Sequence, residues 1–380
     1  MARFVFHRTD LVRNMIDGMK GEGLVDYSSG LFLTAPRRTG KSTFLREDLI
    51  PACVAAGWEP VYVDLWSDLS ADPGRLIEAA IVGVMREYEG SVKRTLQDAG
   101  VQKLTVFKME WNLEQASRLP EGATLTDALN LLYQACGRMV VLIVDEAQQA
   151  LETTTGMNAM FALKAARDFL NQGLSTPGLR LVFTGSSRDK LAHLVLNRQQ
   201  PFFGAQITPF PLLGRDFVAA YTDNINQKLA TGNRFDANDM MQAFELVGRR
   251  PEQLAAIVQR VALDMGAAPK LGELLKSNAA EMRESAWGEY EAVFDPLTPV
   301  QKAVLISMAR ASHGSRTFSP YKSDTLQQVG SLAEEYGQRG PRRPNRLFRP
   351  LLKPCGTRAF CGARGGAPMR SRIPACSTGL

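Results

Sequence analysis

The sequence predicts an α/β protein: a parallel sheet sandwiched by helices. Three observations carry that expectation. From about residue 29 to 210, short β-rich apolar runs alternate with helical patterns, the order that produces layered α/β structures. Three of the runs, "PVYVDLW" (60–66), "MVVLIVD" (139–145) and "LRLVFTG" (179–185), are nearly continuous in apolar residues, as strands covered on both faces should be. An earlier apolar run stops abruptly at Ala35 and passes into "PRRTGKST", the composition of a strand-to-helix turn that wraps an anion.

Along the chain, residues 1–28 read as a mostly helical N-terminal segment. A first strand, "GLFLTA" (30–35), leads through a loop into a helix over about 41–56, and the three strands named above follow. A fifth strand, "AQITPF" (205–210), closes the 29–210 region. Residues 211–290 change character: "DFVAAYTDNI", "DANDMMQAFELVG" and "PEQLAAIVQRVALDMG" repeat apolar residues at helical spacing, with Asp236 and Asp239 at cap or first-turn positions. Within 291–339, "FDPLTPVQKAVLISMARA" (294–311) and "FSPYKSDTLQQVGSLAEEYG" (318–337) predict two further helices. Residues 340–380 lose all period and hold six prolines, six glycines and three of the five cysteines. Such a segment buries too little apolar surface to offset its ordering entropy and is expected to be a disordered tail; an arginine-rich nucleic-acid arm is the rival reading.

Bulk properties narrow the function. The chain has 380 residues, room for two or three domains. No apolar run approaches the roughly 20 residues that span a bilayer, and the charged N-terminus lacks a signal-peptide core, so no membrane partner and a cytoplasmic location are expected. Five cysteines without metal-type spacing fit a reducing compartment, and His7, His193 and His313 are too scattered for a metal site, as are Cys355 and Cys361. The net charge of +6 resides in the tail: residues 340–380 carry nine basic groups and no acid, leaving 36 basic against 39 acidic groups, net −3, in the rest. Global charge is therefore no argument for nucleic-acid binding.

The chemistry is concentrated in three stretches. "LFLTAPRRTGKSTFL" (31–45) fits the phosphate-binding loop G-x-x-x-x-G-K-[ST], except that Ala35 stands at the first glycine and requires a negative φ there. Residues Ala35, Pro36, Arg37, Arg38, Thr39, Gly40, Lys41, Ser42 and Thr43 would surround the phosphates of ATP. Gly40 permits close approach, Lys41 reaches the β- and γ-phosphates, Ser42 ligates Mg²⁺, and the following helix points its positive end at the anion. Arg37 and Arg38 either touch phosphate or a partner or face solvent. In "VVLIVDEAQQAL" (140–151) a strand delivers Asp145 to hold Mg²⁺ and Glu146 to orient and polarise the attacking water; the second acid favours hydrolysis over a kinase reaction. In "LRLVFTGSSRDKL" (179–191), Thr184, Ser186 or Ser187 either bonds the γ-phosphate or the water, or caps a turn.

"APRRTGKST", "VVLIVDEAQ" and "LVFTGSSRDKL", in that order, resemble the AAA+ and STAND group of P-loop ATPases, and within it the archaeal-type and origin-recognition-type members, whose loop often reads G-P-R-R-T-G-K. The resemblance covers about residues 1–335. It implies a P-loop NTPase sheet with the third-motif strand between the two nucleotide strands, a helical lid at 211–290 and a winged-helix-like domain at 291–339, incomplete because the wing strands should follow about residue 340, where the sequence loses its pattern. It also implies a γ-phosphate-sensing arginine near a "G-x-P" turn, which "LVGRRPEQL" (246–254) matches with Arg249 or Arg250. Arg198, in "LVLNRQQPFFG", is the counterpart of a finger supplied to a neighbouring subunit, which would make the protein a homo-oligomer. The implied function is an ATPase that couples Mg-ATP binding and hydrolysis to conformational switching on a protein or double-stranded DNA partner. The alternative is a nucleotide-regulated DNA-binding protein, with Lys322, Ser323 and Gln327 facing phosphates or bases.

Overall fold

The computed structural model describes residues 4–98, 107, 112–173, 177–186, 188–262, 271–313 and 318–336. Five strands form one parallel sheet: β1 (Leu31–Thr34), β2 (Glu59–Asp64), β3 (Val140–Asp145), β4 (Leu179–Gly185) and β5 (Ile207–Pro209). Their spatial order is β2-β3-β4-β1-β5. β4 thus lies between the strand that precedes the phosphate-type loop and the strand that ends in two acids. The register runs from Val140↔Leu179 to Val144↔Phe183 on one side of β4 and from Leu31↔Val182 to Thr34↔Gly185 on the other.

Register sorts the strand side chains into two cores by the period of two. Leu31, Leu33, Val141, Ile143 and Val182 face Met15 and Met19 of α1 (Thr9–Lys20), Leu45 and Leu49, and Cys53 of α3 (Ile50–Ala55). Phe32, Leu142, Val144, Leu181 and Phe183 face the opposite helices, α4 (Pro73–Glu87), α6 (Leu125–Cys136) and α7 (Thr154–Asn171), with α5 (Glu89–Asp98) beside them. Covering both faces buries every residue of β1, β3 and β4. β2 departs from the expected continuous burial. It alternates buried and half-buried residues as an edge strand, with a neighbour on one side alone.

The helix expected over 41–56 is helical over 41–55 in three pieces: α2 (Lys41–Phe44), a π turn (Leu45–Leu49) and α3. Pro51, at the start of α3, has no N–H to donate, and the wide turn sits immediately before it. Asp48 in that turn is buried; it lies 2.7 Å from His7 Nδ1 and accepts the Arg8 N–H at 3.2 Å, which fastens the N-terminal segment to the helix after the loop.

α8 (Arg188–Ala192) follows β4. Beyond β5 come α9 (Arg215–Asn226), α10 (Ala237–Leu246) and α11 (Pro251–Ala262). Asp236 caps α10 by accepting the N–H groups of Asn238 and Asp239, so the two acids take the cap and first-turn places expected of them. The Asn226 side chain bonds both backbone groups of Phe235, and Phe217 packs against Phe244 at 5.3 Å.

The chain divides into two compact units, Met1–Ala279 and Ala280–Leu380, the division falling within α12 (Leu271–Phe294). In the second, α13 (Pro299–His313) and α14 (Ser323–Glu335) pack through Ala303, Val304, Val329, Leu332 and Ala333. The expected wing strands and the 340–380 tail lie outside the described residues. Among the described residues no helix is long and apolar enough to cross a membrane.

Candidate nucleotide site

The loop between β1 and α2 is closed on itself. Ala35 continues the strand by donating its N–H to the Gly185 carbonyl at 3.2 Å, and it is buried. A residue in strand-like pairing has no need of glycine, which accounts for alanine at this position. Left-handed backbone falls instead on Arg38 (φ 65°) and Gly40 (φ 88°). Thr39 Oγ1 donates to the Pro36 carbonyl at 2.8 Å across the loop. Pro36, Arg37, Arg38 and Thr43 are exposed, while Thr39 and Lys41 are buried.

The ends of β1, β3 and β4 bring five of the expected residues together. Asp145, fully buried, accepts four hydrogen bonds. Oδ1 takes the Thr184 hydroxyl and the Glu146 N–H (3.0 Å); Oδ2 takes Ser42 Oγ (2.7 Å) and Tyr62 OH (3.2 Å). Two donors on each oxygen saturate the carboxylate. Lys41 Nζ stands 2.9 Å from Glu146 Oε1 and 3.5 Å from Asp145 Oδ1. Burial pushes the Asp145 carboxyl up, but the Lys41 charge and the hydroxyls of Thr184, Ser42 and Tyr62 outweigh it and hold it below its ordinary value. Tyr62 is raised by burial and by the Asp145 charge, against the pull of Arg46, whose guanidinium donates to its hydroxyl at 3.3 Å.

Glu146 occupies left-handed backbone (φ 55°, ψ 41°), uncommon for a residue of its size and an indicator of a functional position. Its Oε2 accepts from Gln148 Nε2, which also donates to Ser186 Oγ at 3.1 Å. Thr184, by contrast, is committed to Asp145, and Ser187 lies outside the described residues. Sequence reasoning assigned no role to Tyr62 or Gln148. Gln148 sits three residues past Asp145 in a stretch already singled out, whereas Tyr62 reaches the site through the β2–β3 register, which no local pattern reveals.

The arginines are not gathered with this cluster. Arg37 stacks on Trp66, its guanidinium 3.9 Å from the ring centroid. Arg38 makes an exposed ion pair with Glu252 of α11 at 3.5 Å. Arg249, left-handed at φ 57°, turns back to Glu245 of α10 at 3.3 Å, and Arg250 is half-buried at the start of α11. Arg198 is exposed in the loop after α8.

No family model matches the chain, and no curated protein matches it. Solved structures do. The Walker-type ATPase of Pyrococcus abyssi is 18% identical, with 91% of this chain and 89% of that chain covered at a TM-score of 0.53. The ORC2 protein of Aeropyrum pernix, in its ADPNP-ADP complexes, is 12% identical, with 90% and 83% covered at a TM-score of 0.51. Its ADP form is 13% identical, with the same shares covered, at 0.53. The chain shares the fold of these two archaeal proteins. The parallel strands end on one side of the sheet, and Lys41, Ser42, Asp145, Glu146 and Ser186 stand together there.

The donor set suits a magnesium ion. Ser42 Oγ and Asp145 Oδ2 are hard oxygens 2.7 Å apart, of the kind that would hold the ion, Asp145 largely through water. Among the described residues no cluster of three or more His, Cys, Asp or Glu could hold a metal by itself.

Proposed function

We propose that the chain binds Mg-ATP and hydrolyses it, using the cycle to switch its conformation on a protein or double-stranded DNA partner. One observation carries the reading. Lys41 and Ser42 at the start of α2, and Asp145 and Glu146 at the end of β3, more than a hundred residues apart in the chain, interlock within hydrogen-bonding distance beside a left-handed Gly40. The fold neighbours support it, since the Pyrococcus protein is a Walker-type ATPase and the Aeropyrum protein holds ADP and ADPNP. On this reading 29–210 is the ATPase core, 211–290 a lid and 291–339 an incomplete winged-helix-like domain; Arg249 or Arg250 senses the γ-phosphate, and Arg198 is a finger supplied to a neighbouring subunit.

The resting contacts say what ATP must displace. Lys41 holds Glu146 Oε1. Phosphate oxygens draw the ammonium away, and Glu146 is released to orient a water in line with the γ-phosphate. Backbone N–H groups of residues 37–40 and of the start of α2 would receive the remaining phosphate charge. Ser42, and Asp145 largely through water, would hold Mg²⁺, which would neutralise charge on the phosphate oxygens.

The test is ATP turnover by the purified full chain, with and without double-stranded DNA, beside Lys41→Ala. We expect the variant to lose binding of a labelled ATP analogue by at least about 100-fold, because several charge-assisted bonds go at once, with its circular dichroism intact. Unchanged affinity would refute the site. Stimulation by DNA favours a DNA partner, and turnover indifferent to DNA points towards a protein one. DNA affinity that follows bound nucleotide without turnover would select the alternative, a nucleotide-regulated DNA-binding protein.

A further inference from the structure

Gln148 lies on the 3₁₀ turn Ala147–Glu152 that follows β3 and is 2% exposed. Its amide nitrogen carries two hydrogens. One goes to Glu146 Oε2 and the other to Ser186 Oγ at 3.1 Å, just past the end of β4. The orientation of the amide is chemically determined. An ionised carboxylate only accepts, so the nitrogen must face Glu146. The amide oxygen therefore faces away, buried, with no donor among the described residues. Leaving that oxygen unmatched is unfavourable, so the two bonds of the nitrogen are what the arrangement retains. Gly185 makes room for it: a Cβ there would stand 2.8 Å from Gln148 Oε1, while its next neighbours, atoms of Leu191, are at an ordinary 3.6 Å.

Because Ser186 Oγ accepts from Gln148, its own proton is left to donate. We propose that Gln148 is a positioning residue that ties the Glu146 carboxylate to the Ser186 hydroxyl, so that capture of a terminal phosphate by Ser186 is transmitted to the group that orients the attacking water. This deepens the ATPase reading and rests on it. A hydroxyl that donates to phosphate becomes a better acceptor, which strengthens the bond from Gln148. Once Lys41 has left Oε1 for phosphate, the Gln148 bond at Oε2 is the described side-chain contact that still fixes the carboxylate.

Two variants test this by different routes. Gln148→Met keeps volume and burial but removes both N–H groups. Gly185→Ala leaves Gln148 in place and pushes its amide from behind, and residue 185 is not in left-handed backbone, so alanine is conformationally allowed. We expect Gln148→Met to lower turnover about 10- to 100-fold, as loss of an orienting partner does, with ADP affinity unchanged and the preference for an ATP analogue over ADP weakened. Gly185→Ala should shift both readouts the same way by less. Gln148→Met combined with Ser186→Ala should be no slower than the slower single variant, since both act through one chain of bonds. Parent-like turnover in Gln148→Met, or losses that multiply in the double variant, would overturn the proposal while leaving the ATPase reading intact. If Gln148→Met does not fold, Gly185→Ala decides: parent-like turnover and discrimination there overturn the proposal. Absence of nucleotide binding by the parent chain overturns both.

Discussion

The cluster at the ends of β1, β3 and β4 and the arginines around it are held in opposite ways. Lys41 and Asp145 have side chains only 6% and 1% exposed, and each oxygen of Asp145 is doubly bonded. Arg38 and Glu252, by contrast, are 60% and 67% exposed and meet at 3.5 Å, and Arg249 pairs with Glu245 on its own neighbouring helix. A desolvated network resists rearrangement, because every broken bond leaves an unmatched buried group. An exposed ion pair exchanges partners at almost no cost. On the proposed reading, the difference would separate a preformed floor for a ligand from guanidinium groups able to re-pair when phosphate charge arrives.

The sharpest way to break the comparison is Glu146→Gln. The shape is kept and the charge that polarises water is lost, so turnover should fall about 100- to 10,000-fold while ATP-analogue binding survives. Hydrolysis at the parent rate would remove Glu146 from the chemistry and leave the floor a merely structural network.

A second measurement concerns acid. The Asp145 carboxyl sits below its ordinary value of 3.8 in the folded chain, so folded protein binds fewer protons there than unfolded chain as pH falls past that value. Its contribution to stability is present above that pH and is lost as pH drops through the folded value. Urea midpoints measured from about pH 5 down to about pH 3 should decline less steeply for Asp145→Asn than for the parent. Identical slopes would mean that Lys41 and the three hydroxyls do not hold the carboxylate as strongly as the geometry requires. The smallest effect is expected at the rim: Glu252→Gln should change stability by no more than about 0.5 kcal/mol. A larger loss in chemical denaturation would place the Arg38 pair with the floor instead of the exchangeable rim.

Much of this was written locally in the chain. Apolar runs ending in G-K-S and in Asp-Glu identify which residues converge, because a strand delivers its last side chains to the sheet edge whatever its neighbours are, and a phosphate-type loop is built from consecutive backbone. The cap at Asp236 is equally local, since a side chain bonding the next two N–H groups needs no tertiary partner. Tertiary structure decided the rest. β2 reads like a buried strand but lies at an edge, a property of its place in the order β2-β3-β4-β1-β5 and not of its residues. Tyr62 enters the site through pairing with Ile143, and Gln148 bridges Glu146 to Ser186 across the ends of two strands. Thr184 and Ser186, two residues apart and alike in sequence, are divided between Asp145 and Gln148 by how deeply each lies. Periodicity and spacing describe a segment along its own axis. Which hydroxyl meets which carboxylate depends on register between segments far apart in the chain, and that is set by the packing of both faces of the sheet.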